Sequence, residues 1–162
     1  MTLEINNWIF HVDIGKTALH SKAEAAEHCT CAYCRNFYDS VDEAYPQLRS
    51  FLSQFGLCLE APDELIPLYP PSDCSIYYAV SGEILQNGNE PLSAGSIAIW
   101  PLPEHEASAN TFLEGPHFFL HISCLQLPWV LSEPIEDVES TANDPAFLRD
   151  VFERFTGSKF SS

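Results

Sequence analysis

A chain of 162 residues, 46% of them hydrophobic and 12% aromatic, has the size of one domain and the apolar content of an ordinary core, which excludes a disordered chain. Its 23 acidic against 7 basic residues leave a formal charge of -16, and no Lys or Arg falls between Arg49 and Arg149, so phosphate backbones and anionic lipid headgroups are repelled. No nucleic-acid or membrane partner is expected.

No apolar run reaches the roughly 20 residues that cross a bilayer, and the N-terminus lacks the basic start and apolar core of a signal peptide. A cytoplasmic location is therefore expected, and the 6 cysteines read as reduced thiols rather than as a disulfide framework.

In chain order, Trp8, Phe10, Val12 and Ile14 alternate with His11 and Asp13, behind Leu3-Glu4-Ile5 and an Asn6-Asn7 pair. That pattern predicts a strand or short hairpin. Lys16 to Glu27 is Ala-rich and free of turn residues, which predicts a helix. Cys34, Phe37, Val41, Ala44, Leu48, Phe51 and Phe55 follow at helical spacing as one apolar stripe. Pro46 inside the stripe predicts a kink or two helices meeting near Tyr45, and Gly56 ends it.

Prolines at 62, 67, 70 and 71 make Ala61–Asp73 a connector, with a turn of helix expected at Asp63–Leu65. Ile76, Tyr78, Val80 and Ile84 then alternate with Tyr77, Ala79, Ser81 and Leu85 as a strand, and Asn87-Gly88 predicts a hairpin to the next one. Ser96–Leu102, Thr111–Leu113 and His117–Leu127 read as further strands. Pro128 to Asn143, with the acidic run Glu133–Glu139, is expected to be an exposed loop. Asp144 and Pro145 then open a helix over 144–156, whose Phe147, Leu148, Val151, Phe152 and Phe155 share one face.

The expected fold is α+β in a single domain over 1–162: a strand unit and helices over 1–56, an antiparallel sheet over 74–131, and a C-terminal helix packed on that sheet.

Cys29, Cys31 and Cys34 form C-x-C-x-x-C directly after His28. Three soft ligands within six residues suit tetrahedral zinc, with His28, His20 or Cys58 as the fourth donor. The opposing reading makes Cys34 a small hydrophobe on the apolar stripe. A third reading places Thr30 as helix N-cap and Cys31 in the first turn, where a thiol is acidified for redox or nucleophilic work.

Cys29-Thr-Cys31-Ala-Tyr-Cys34-Arg-Asn-Phe37 and Leu127-Pro-Trp-Val-Leu131 resemble segments of a group of small uncharacterised bacterial proteins that share a strand and helix before the cysteines. The resemblance implies the domain layout and no activity. A weaker one covers Tyr77-Tyr-Ala-Val-Ser-Gly-Glu83, Asn87-Gly88, Gly95, Pro101, His105 and Asn110, which look like part of a cupin barrel. It implies a metal-dependent enzyme using His105 with His117 or His121. The H-x-H pair of cupins is missing, however, and too few strands precede Ile76 to close a barrel.

The leading functional expectation is a non-enzymatic binding or regulatory module with a structural zinc on Cys29, Cys31, Cys34 and His28. A basic protein partner would meet Glu104, Glu106 and the Glu133–Glu139 run.

Overall fold

The computed structural model describes residues 1–135, so the helix expected over 144–156 and the last part of the acidic run lie outside the described residues. Strands β1 (Thr2–Ile5) and β2 (Trp8–Val12) form the expected hairpin, with Ile5 opposite Trp8 across Asn6-Asn7. Asn6 takes the left-handed conformation (φ 55°) that such a two-residue turn requires. Trp8, Phe10 and Val12 all point into the core.

Helix α1 (Ile14–Ala26) starts earlier than expected, because the Asp13 carboxylate accepts the Lys16 amide at 3.0 Å as an N-cap and draws Ile14 out of the strand. Helices α2 (Ala32–Ala44) and α3 (Leu48–Ser53) meet at Pro46, where the proline predicts the break. The apolar stripe is buried at Cys34, Phe37, Val41, Leu48, Phe51 and Phe55, while Ala44, the last residue of α2, is exposed. Cys31, not Thr30, is the N-cap of α2.

The remaining strands are β3 (Glu64–Pro67), β4 (Cys74–Gln86), β5 (Leu92–Ala94), β6 (Ile97–Pro103) and β7 (His117–Leu125). With β1 and β2 they make one 7-stranded antiparallel sheet in the order β1-β2-β4-β7-β6-β5, and β3 also pairs with β4. The α+β class is as expected, and three local expectations are corrected. Asp63–Leu65 leads into strand β3 instead of a helical turn, since β4 offers it an edge. Thr111–Leu113 forms no strand.

Asn87-Gly88 does not join two paired strands, because β4 pairs with β2, β3 and β7. Gly88 instead lies under the Trp8 indole, whose Nε1 donates to the Glu90 carbonyl at 2.7 Å. The tight turn is Gly95-Ser96, between Ala94 and Ile97, with Gly95 at φ 62°.

Strand β4 is the axis of the molecule. One face sends Ile76, Tyr78 and Val80 into the main core with Phe10, Phe55, Phe118 and Leu120. The other sends Tyr77 and Ala79 into a smaller cluster with Ile66, Leu113 and Phe119. Gly82 lets β2 approach, since a side chain there would strike the His11 carbonyl.

Between the end of its pairing with β3 at Tyr77 and the start of its pairing with β2 at Gly82, one edge of β4 has no strand partner. Its backbone donors are met by side chains: the Ala79 amide donates to Asp63 Oδ2 at 2.7 Å, and the Ser81 amide to Thr17 Oγ1 at 3.0 Å. Unpaired buried amides cost about 1–3 kcal/mol each, which is why α1 turns the polar Thr17 and Ser21 inward. Ser21 Oγ accepts the Cys58 amide at 2.8 Å. No buried side-chain nitrogen or oxygen among the described residues lacks a partner. None of the described helices is long and apolar enough to cross a membrane.

Candidate metal centre

The turn between α1 and α2 carries the cysteine motif. Cys31, with φ -65° and ψ 160°, is in the extended conformation of an N-cap, so the chain doubles back from Cys29 and brings Cys34, one turn into α2, against it. The sulfurs of Cys29, Cys31 and Cys34 all lie within 4.8 Å of one another. Cys29 and Cys31 are exposed and Cys34 is buried. The Cys31 amide donates to Cys29 Sγ at 3.5 Å and holds the Cys29 thiol below its usual range. Burial pushes the Cys34 thiol well above its own.

A cation among the three sulfurs would reverse that second effect, since a coordinating thiol is deprotonated outright. The donor set is soft and fits zinc.

The neighbours keep the loop in place. Tyr38 Oη donates to the Cys29 carbonyl at 3.2 Å, and Arg35 Nε to the Thr30 carbonyl at 2.8 Å. Arg35 also pairs with Glu133, and Asn36 accepts the Val130 amide at 2.8 Å and donates to the Pro128 carbonyl at 3.0 Å. The Leu127–Leu131 segment is thereby fastened to α2.

The proposed fourth donors are placed differently from one another. His28 stacks on the Tyr38 ring at 4.4 Å and lines the same cleft as the cysteines, outside the group of three sulfurs. His20 is committed elsewhere, with Nε2 at 2.6 Å from Asp63 Oδ1. Cys58 Sγ donates to Glu60 Oε2 at 3.3 Å and borders a different hollow, beside Ser21 and Arg49.

Of the histidines of the cupin reading, His105 and His117 line one hollow with Glu104, and His121 is not among its lining residues. His105 is exposed on a 3-10 turn (Glu104–Glu106), with its ring 3.9 Å from Glu106. His117 Nδ1 is 2.9 Å from the Gly115 carbonyl and its Nε2 is 3.7 Å from Glu104. His121 lies flat on Tyr77 at 4.0 Å, with Nε2 3.1 Å from Ser75 Oγ. Among the described residues, none of the three belongs to a group of three donors within 4.8 Å.

A second cluster escapes the sequence patterns. His20, Glu24 and Asp63 place one donor atom each within 4.8 Å of one another. The side chains of His20 and Asp63 are 9% and 2% exposed. The Asp63 hydrogen bond chiefly raises the His20 pKa, and burial followed by the Asp63 charge raises that of Glu24. Thr111 Oγ1 donates to Asp63 Oδ1 at 2.6 Å and is 3.3 Å from His20 Nε2.

Both Asp63 and Thr111 thus meet the same ring nitrogen, whereas a relay that activates a hydroxyl needs them on opposite ones. The only sequence signal was His20 and Glu24 at i and i+4 on a predicted helix, which put both on one face. Asp63 arrives through β3 pairing, which no local pattern announces.

Glu24 and Asp63 border the cysteine cleft, of about 290 Å³, so the two clusters face one opening. No family model, curated protein or solved structure matches the chain.

Proposed function

We propose that this chain is a non-enzymatic metal-binding module, with one zinc ion held as a thiolate complex by Cys29, Cys31 and Cys34 and with a binding or regulatory role. The observation that carries the reading is the approach of the three sulfurs to within 4.8 Å, on a loop that Tyr38 and Arg35 of α2 fasten. His28 is the candidate for the fourth position, since it lines the same cleft and its ring is held only by stacking among the contacts described. A basic protein is the partner of matching charge, meeting the exposed Glu104 and Glu106.

Protein purified under reducing conditions should carry about one thiolate-bound zinc per chain, measured by elemental analysis as the zinc that wild type holds beyond the Cys29→Ser, Cys31→Ser and Cys34→Ser triple variant. Cobalt substitution should give a sulfur-to-cobalt charge-transfer band that disappears in Cys29→Ser and Cys31→Ser. His28→Ala should weaken binding without abolishing the band. Metal-free protein whose stability is unchanged by added zinc would overturn the reading.

A further inference from the structure

We infer that His20, Glu24 and Asp63 form a second divalent-cation site, separate from the thiolates, which takes a first-row ion such as zinc through one imidazole nitrogen and two carboxylates. Their three donor atoms lie within 4.8 Å of one another and come from two elements of different kind, the inner face of α1 and the entry to β3. The donor set suits a harder ion environment than the cysteines do, and one imidazole with two carboxylates is a familiar balance for zinc or neighbouring metals.

Asp63 is the fixed member. Its Oδ2 accepts the Ala79 amide at 2.7 Å and its Oδ1 the Thr111 hydroxyl at 2.6 Å, which is the outer-shell support that orients a ligating carboxylate. His20 Nε2 and Asp63 Oδ1 are 2.6 Å apart. Two donors on one ion at bond lengths near 2.1 Å stand about 3.0–3.4 Å apart, so an ion enters once the pair opens by less than about 1 Å. Glu24, one turn beyond His20, closes the third side from a partly exposed position. The opening beside it is lined by Asn110, Thr111 and Phe112, which leaves a path from solvent.

The site does not depend on the cysteines, and the test uses that independence. The full chain carrying Cys29→Ser, Cys31→Ser and Cys34→Ser, checked as folded by circular dichroism, is titrated with zinc by calorimetry. One ion per chain is expected. Adding Glu24→Gln, an isosteric change at a partly exposed position, should weaken binding at least tenfold, and Thr111→Val should weaken it about 10–100-fold through Asp63.

A folded triple-serine chain that binds no zinc, or binds it equally well with Glu24→Gln and with His20→Gln, overturns the site. Failure of the thiolate reading would appear separately, as a missing charge-transfer band in the cobalt-loaded wild type.

Discussion

Helices α1 and α2–α3 face the same sheet with opposite chemistry. The inner side of α2, α3 and the turn that follows is apolar, with Phe37, Val41, Leu48, Phe51 and Phe55 closing the main core. The inner side of α1 is polar: Thr17 and Ser21 are fully buried and each satisfies a backbone amide, at Ser81 and Cys58. The first pair of helices is held by area removed from water, and the other by hydrogen bonds that the interrupted edge of β4 demands. Polar groups that must be buried bring others with them, and the His20, Glu24 and Asp63 cluster grows from that edge.

The comparison breaks most visibly on the apolar side. Phe55→Ala removes a side chain that is 0% exposed and stacked edge-on against Phe10, and is expected to cost about 3–5 kcal/mol in urea denaturation. A cost below about 1 kcal/mol would mean that the turn after α3 does not close the core.

On the polar side the same experiment should give a smaller number with a different chemistry. Thr17→Val keeps the shape but leaves the Ser81 amide unpaired, for an expected loss of about 1–3 kcal/mol, while Thr17→Ser should recover most of it. Equal stabilities for the valine and serine variants would show that the hydroxyl is not what holds α1.

The smallest effect sharpens the contrast between the two faces of the sheet. On the lesser face, burial pushes the His121 imidazole down to about 4 from 6.5. Unfolded chains take up that proton as pH falls through 6.5, whereas the folded one does so only near 4. Stability from this group is therefore full above about pH 6.5 and is lost on the way down to about pH 4. Partial exposure limits the loss to on the order of 1–2 kcal/mol. Wild type should therefore lose more stability than His121→Phe as pH falls from about 6.5 to about 4, which melting curves across that range would read. Parallel curves would mean that His121 titrates normally.

The apolar half of the fold was legible because its cause is local. Helical spacing of Phe37, Val41, Leu48, Phe51 and Phe55 and the alternation of Trp8, Phe10 and Val12 announce their buried faces, and Pro46 announces its own break. Asn87-Gly88 misled for the converse reason. Its turn chemistry is real, but Trp8 packs over Gly88 and β4 already has its partners, so no hairpin forms there.

The α+β class, the main core and the approach of the cysteines all follow from local pattern, because C-x-C-x-x-C at the start of a helix brings three sulfurs together within six residues. What those sulfurs face depends on pairing between distant segments. His20 is an open choice as a fourth zinc donor until β3 carries Asp63 to its ring, and nothing marks the Thr17 hydroxyl until the gap along β4 leaves the Ser81 amide in need of an acceptor. A buried backbone amide without a strand partner is created by pairing between distant segments, so nothing in the neighbouring residues can reveal it.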